Sequence, residues 1–339
     1  MESSAEGTDT LKQKITAAKL PPEVEEKLLN LLRFPGSGAQ FEKLISYIEF
    51  VISLPFGNLS QDILDIGRAK EILDRNHYGL LSVKARILEY LSVLILRSRK
   101  VENSGHAPIL LFVGLVGTGK TSLAYSIAES LGRPIIRIPF GGLGSPRQLR
   151  GESWVSLEAQ PGQVMKAIKT AGVTNPVILL DEIDRIVEEA KVDIMGVLVE
   201  LLDPAQNQSY VDHFLDFPFN LSRVLFIATA NNTGNIATAV MDRLEPIQMP
   251  AYSDEEKLVI GKDYLLPKAI KESGLTVNQI EIGESVWPAL LRPLGFDAGI
   301  RSLNRALEGL TRKIARKVVE GESGPFKITA ENIGEYISS

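Results

Sequence analysis

A chain of 339 residues, 44% apolar and 23% charged with a formal net charge of −5, has the composition of a soluble globular protein and room for two or three domains. Nothing in the charge total favours nucleic acid or an anionic membrane. The absence of cysteine excludes disulfides, thiolate metal sites and a cysteine nucleophile. Apolar stretches such as Leu91–Leu96 fall far short of the ~20 residues of a membrane span.

Met1–Thr10 is polar and lacks the apolar core of a signal peptide, so residues 1–10 are expected to be a disordered lead. Residues 11–105 read as a helical N-terminal region. Pro21-Pro22 and the acids after them open a helix that spaces Val24, Leu28, Leu29 and Leu32 on one face. A loop at Phe34–Gly38 precedes a second helical pattern, Phe41–Leu54, which Pro55 stops. Ser60 is expected to cap a helix through Leu73, and Ser82 another through Arg99. From residue 106 to 250 apolar runs alternate with helical patterns, which predicts an α/β domain with a parallel five-stranded sheet wrapped by helices. The runs are Ile109–Val113, Ile135–Phe140, Val177–Leu180, Val224–Thr229 and Pro246–Met249. Residues 251–339 then read as a mainly helical lid. Ser253-Asp-Glu-Glu256 is a capping box, and Ala298–Val319 carries Ile300, Leu303, Leu307, Leu310, Ile314 and Val318 on one face. A short strand from Phe326 is expected to enter a last helix.

Two motifs carry chemistry. Gly114-Leu115-Val116-Gly117-Thr118-Gly119-Lys120-Thr121 fits G-x-x-x-x-G-K-[ST] between an apolar run and a helical pattern. Such a turn aims backbone N–H groups and a helix N-terminus at one spot, where they hold a polyphosphate. Lys120 then reaches the β- and γ-phosphates of ATP, and the Thr121 hydroxyl ligates Mg²⁺. About sixty residues on, Val177–Leu180 ends in Asp181-Glu182. Ligands of open α/β sheets lie at the carboxyl ends of strands, so Asp181 is expected beside the metal and Glu182 is placed to activate water.

With a later strand ending in Asn231 and a helical lid, these motifs resemble the AAA+ ATPases. Asn175–Asp184, Leu201–Asn207, Val211–Asp216, Leu225–Asn231, Leu265–Lys268, Tyr47-Ile-Glu and Ile72–Leu80 look like the ATPase module of Lon proteases, over nearly everything from residue 11 onward. Leu115-Val-Gly-Thr118 and Asp193–Glu200 are most similar to the peroxisomal Lon branch of filamentous fungi. The resemblance implies an unfoldase and translocase that works on unfolded polypeptide as a hexameric homo-oligomer, serving a serine protease that removes misfolded or unassembled proteins. It implies the peroxisomal matrix, with the mitochondrial matrix as the alternative; the acidic pI of 5.5, the lack of a basic stripe and the short apolar stretches make neither nucleic acid nor a membrane an expected partner.

Residue by residue, the resemblance makes Asn231 a sensor of the attacking water or γ-phosphate, where the sequence alone also allows a turn asparagine. Arg243 matches the arginine finger that acts on a neighbouring subunit's nucleotide, and Arg301 the lid arginine that senses the γ-phosphate. On sequence alone both read as surface arginines. His77 and Tyr78 match the segment beside the adenine, the alternative being a helix-linking turn. In the substrate-gripping loop between Arg150-Gly151 and Pro161-Gly162, the family's tyrosine position holds Ser156. Trp154 or Leu157 is then the expected gripping side chain, unless Trp154 packs into its own domain. The Ser/Lys protease domain that follows the lid in the family is not among these residues, so peptide cleavage is not expected of them. Two other classes compete: a nucleic-acid-handling AAA+ ATPase of loader or initiator type, and a silent scaffold that binds nucleotide only to assemble.

Overall fold

The computed structural model describes residues 2–34, 38–98, 109–292 and 299–337. Part of the expected 34–38 loop, Arg99 at the end of the Ser82 helix, the 105/106 boundary and Ala298 lie outside the described residues. The chain divides into two compact units: one of Met1–Ile72, Arg86–Val113 and Ala124–Ile247, the other of Leu73–Ala85, Gly114–Leu123 and Gln248–Ser339.

The chain begins with helices α1 (Glu2–Ala17), α2 (Pro22–Leu31), α3 (Ala39–Ile52), α4 (Ile66–Asn76) and α5 (Leu81–Ser98). Residues 2–10, expected to be disordered, are the first half of α1. Leu11 and Ile15, one turn apart, are both buried, and once they anchor a helix each further residue fixed adds a hydrogen bond without the cost of a new nucleus. The helix expected from Ser60 begins six residues later. Ser60 gives its N–H and hydroxyl to the Asn175 side chain, at 2.8 and 3.1 Å. Asp65 takes over the capping, accepting from the N–H groups of Gly67 and Arg68 at 2.8 and 3.1 Å.

The sheet and its crossovers follow: β1 (Ile109–Val113), α6 (Lys120–Leu131), β2 (Ile135–Pro139), α7 (Arg147–Arg150), α8 (Gln163–Ala171), β3 (Val177–Asp181), α9 (Lys191–Leu202), β4 (Tyr210–Asp212), β5 (Phe217–Phe219), β6 (Leu225–Ala230), α10 (Thr238–Met241) and β7 (Leu244–Gln248). Strand order is β2-β3-β6-β1-β7, all parallel. The register sets Leu180 beside Ala228 and Val113 beside Ala230. Every residue of β3 and β6 is buried, as strands covered on both faces must be, which is why they read as unbroken apolar runs. Val164, Met165 and Ile168 of α8 and Ile194, Leu198 and Leu201 of α9 pack into the same core as Leu111, Ile178 and Phe226. The antiparallel hairpin β4–β5 was not expected. Its strands are three residues long and carry a proline, so neither alternation nor length marks them.

The other unit is built on α11 (Asp254–Ile260), α12 (Leu266–Glu272), β8 (Ile280–Ile282), α13 (Trp287–Leu291), α14 (Arg301–Val319), β9 (Phe326–Ile328) and α15 (Ile333–Tyr336). The capping box forms, with Glu256 N–H donating to Ser253 Oγ and Ser253 N–H to Glu256 Oε2. A turn of π-helix at Gly261–Leu265 joins α11 to α12. A Cβ at Gly261 would stand 2.8 Å from the Trp287 ring, so only glycine fits there. Leu303, Leu307, Leu310 and Ile314 of α14 cover Trp287, Leu290, Phe326 and Ile328. The expected strand at Phe326 finds a parallel partner in β8, with Ile280 opposite Phe326 and Ile282 opposite Ile328.

Asn175 ties the segment before α4 to the sheet domain: besides accepting from Ser60, its amide donates to the Ser60 carbonyl at 3.0 Å, and the side chain is 4% exposed. Asn175→Ala leaves these part-buried groups without their partner and should cost about 1–3 kcal/mol, read as a lower urea midpoint at unchanged slope; a midpoint equal to wild type would contradict this role.

Candidate functional site

β1 runs out at Val113 into the 114–119 loop, and α6 begins at Lys120. Gly117 and Gly119 hold φ of 84° and 95°, left-handed values that other residues adopt at a cost. A Cβ on Gly114 would lie 2.7 Å from Met249 Cβ, and one on Gly117 would lie 3.1 Å from Arg301 Cβ and N. The Thr118 hydroxyl closes the loop on the Leu115 carbonyl at 2.9 Å. Lys120 is 8% exposed, and its ammonium donates to the Gly114 and Leu115 carbonyls at 2.6 and 2.9 Å. A cation on the loop's own carbonyls, at the start of a helix, suits a polyanion.

The structure brings Arg301 to this loop. The first residue of α14 is exposed, and Ile300 N–H donates to the Gly117 carbonyl at 3.1 Å. His77 belongs to the same unit and is 6% exposed. Burial lowers its pKa to about 4; Lys84 adds to the shift, and a hydrogen bond with the Ser122 backbone opposes it. The imidazole is therefore neutral at physiological pH. Tyr78 is exposed, with its ring centroid 6.5 Å from that of Tyr264. Gly79 and Leu80 then turn the chain with φ of 62° and 52°.

The acidic pair stands at the carboxyl end of β3. Asp181 is 4% exposed; one oxygen accepts from the Thr229 hydroxyl and the other from Arg137 Nε at 2.6 Å. The same Thr229 oxygen accepts the Glu182 N–H at 2.9 Å. Glu182 leaves the strand with φ of 58°, which carries its carboxylate toward Gly141 and within 3.5 Å of Arg185 Nη1. Strain of this kind in a non-glycine residue gathers at functional positions. Asn231 follows β6, and its N–H donates to Asp184 Oδ2 at 3.1 Å. Arg243 is engaged within its own chain, bonded to Asp203 and to the Ala239 carbonyl at 2.7 Å each. That hydrogen bond is the main reason the Asp203 carboxyl sits below its usual range.

The sequence left two placements open for Trp154, and the structure shows the packed one. Trp154 is half-buried and stacks on Tyr47 at 5.1 Å between ring centroids, beside a cavity of about 290 Å³ lined by Leu31, Phe34, Lys43, Leu44 and Val155. A large ring gains more from that apolar contact than from water. Leu157, by contrast, is 95% exposed. The Ser156 hydroxyl is buried without a hydrogen-bond partner, so this side chain does not present itself to a peptide either.

Sequence reasoning missed Thr229, Arg137 and Arg185. Thr229 had a visible signal, a lone hydroxyl in the apolar run Leu225–Ala230; the two arginines had none. The oxygens of Thr121 and Asp181 are hard donors of the kind Mg²⁺ takes, and the glycine-bounded loop fits a nucleotide's phosphates.

Residues 110–250 match the ATPase family associated with various cellular activities (AAA), and residues 271–326 match the Lon protease AAA+ ATPase lid domain. The chain is 42% identical to a Lon protease of Lawsonia intracellularis over 320 residues, 94% of this chain and 38% of the relative. It is 40% identical to Lon protease 2 of Thermus thermophilus, across 99% of this chain and 43% of that one. With a Lon protease of Heliobacterium modesticaldum the identity is 42%, across 99% and 41%. The chain thus spans about two fifths of the length of these relatives.

His77 gives a test in pH. Its folded pKa of about 4 lies below the ordinary 6.5, so between those values the unfolded chain binds more protons. The stability tied to a neutral His77 is whole above about 6.5 and is lost as pH falls toward 4. His77→Asn should flatten the fall in melting midpoint across that window relative to wild type; parallel falls would contradict a buried, neutral imidazole.

Proposed function

Since the chain carries an AAA ATPase domain followed by a lid domain of the Lon type, we propose that it is the ATP-hydrolysing unfoldase and translocase module of a Lon-type, ATP-dependent serine protease. The observation that carries this reading is the acidic pair, with Asp181 fixed at the strand end and Glu182 turned out of it by a shared hydroxyl. A scaffold that only bound nucleotide would have no use for that turn.

In this reading the backbone of Gly114–Gly119 and the Lys120 ammonium bind and orient the triphosphate, with Arg301 answering the γ-phosphate and His77 and Tyr78 flanking the adenine. Mg²⁺, held by Thr121 and Asp181, would neutralise charge on the phosphate oxygens. Glu182 takes the proton from the attacking water, which Asn231 helps to aim. Arg243 exchanges Asp203 for the nucleotide of a neighbouring subunit in a hexameric ring. Leu157 grips unfolded polypeptide, while Trp154 anchors its loop. The parent protein then degrades misfolded or unassembled proteins, in the peroxisomal matrix by the sequence variants around Leu115 and Asp193.

Glu182→Gln keeps the shape of the side chain and removes the base, so MgATP affinity should hold while turnover falls by about 10²–10⁴-fold. Lys120→Ala should weaken binding itself, and calorimetry beside phosphate release separates the two. Both variants failing to bind, or both turning over normally, would overturn these roles.

A finger acting in trans makes turnover per molecule rise with protein concentration. Arg243→Ala should abolish that rise, since such arginines contribute roughly 10³–10⁵ in rate. Specific activity flat with concentration and equal in the two proteins would contradict the ring.

A further inference from the structure

The loop from Glu152 to Gln160 is closed at its neck by a backbone bridge, Glu152 N–H to the Gln160 carbonyl at 2.8 Å. Just outside the bridge stand Gly151 and Gly162. A Cβ on Gly151 would lie 2.7 Å from one oxygen of Asp212, and a Cβ on Gly162 would lie 2.6 Å from the other. The carboxylate between the two stems leaves no room for a larger residue on either.

Asp212 is fully buried, and both its oxygens are committed. Oδ2 accepts from Gly162 N–H at 2.9 Å, and Oδ1 from Phe214 and Leu215 N–H at 2.9 and 3.4 Å. Neighbours in the same hairpin reach the other stem: the Tyr210 hydroxyl donates to the Leu149 carbonyl at 3.2 Å, and His213 N–H to the Arg150 carbonyl at 2.7 Å. The turn then runs to the N-terminal helices. Its Leu215 carbonyl accepts the Tyr47 hydroxyl at 2.8 Å, and Asp216 pairs with Lys27 at 2.9 Å. Tyr47 also carries the Trp154 ring, and Lys43 donates to the Ser156 carbonyl at 2.7 Å. The loop is therefore held at its neck by the Asp212 carboxylate on one stem and by Tyr210 and His213 on the other, and nearer its tip by α3.

We propose that Asp212 is the positioning residue of this loop, clamping the Gly162 stem to the 212–216 turn while Tyr210 and His213 hold the other stem, so that Trp154 docks on Tyr47 and Leu157 faces outward. The proposal rests on the reading of Leu157 as the polypeptide grip. Burial pushes the Asp212 carboxyl up to about 7 although three backbone N–H groups pull it down. An apolar residue would avoid that opposition but could not accept hydrogen bonds from two separate segments.

The chain's two tryptophans permit a direct test. In a Trp287→Phe background, emission reports Trp154 alone. Adding Asp212→Asn should shift that emission to the red and raise its quenching by acrylamide severalfold, well below the melting midpoint and with the circular dichroism unchanged. Asp212→Asn with a lowered melting midpoint but unaltered Trp154 emission would make the residue merely structural and overturn the clamp. Should Asp212→Asn fail to fold, hydrogen exchange on the wild-type chain decides. The Gly162, Phe214 and Leu215 amides should then exchange roughly tenfold or more slowly than those of residues 153–158, as bonds to a fully buried acceptor imply; equal rates would overturn it. The gripping reading is tested separately, by Leu157→Ala and anisotropy of a labelled, permanently unfolded polypeptide. Unchanged capture there removes the grip and leaves the Trp154 result standing as a statement about the loop.

Discussion

One buried hydroxyl sets the order of the acidic pair. Thr229, with no exposed surface at the heart of the parallel sheet, donates a hydrogen bond to Asp181 and accepts one from the backbone N–H of Glu182. The first contact keeps Asp181 at the strand end. The second rewards Glu182 for leaving the strand in a left-handed conformation that a glutamate otherwise avoids. Two adjacent carboxylates in an extended strand would point to opposite faces of the sheet. The shared hydroxyl gives them different surroundings, one anchored by Arg137 and the other half-exposed beside Arg185.

The sheet that makes this possible was largely legible in the sequence, because strands buried on both faces must be apolar throughout and the phosphate loop and Asp181-Glu182 announce their positions by residue type. What escaped were features set by tertiary contact. Ser60 looks like a helix cap, but Asn175 claims it and Asp65 caps instead. Residues 2–10 are polar and look structureless, yet they extend a helix that Leu11 and Ile15 pin down. Hairpin β4–β5 is too short for any periodicity, and the partners of Trp154 lie more than a hundred residues away in α3. Arg243 reads as a surface arginine, and its tie to Asp203 is a distance no spacing predicts.

A second constraint acts on the loop that the sequence marks only by its glycines. Gly151 and Gly162 look like ordinary flexible hinges. In the fold they are close approaches to a buried carboxylate, so the loop is stiff at its neck and carries its exposed leucine on a fixed base. The acidic pair and this loop share a design: in each, a buried polar side chain with every bond committed fixes the direction of a neighbour that is left accessible.

The central claim is that Thr229 orients a hydrolytic pair, and single-turnover ATP hydrolysis by Thr229→Val tests it most directly. The substitution removes the hydroxyl and nearly keeps the shape. The account predicts nucleotide affinity close to wild type, hydrolysis slowed by roughly 10²-fold, the loss expected when a catalytic group is misplaced by about an ångström, and recovery in Thr229→Ser. Hydrolysis at the wild-type rate in Thr229→Val, with affinity intact, would contradict it.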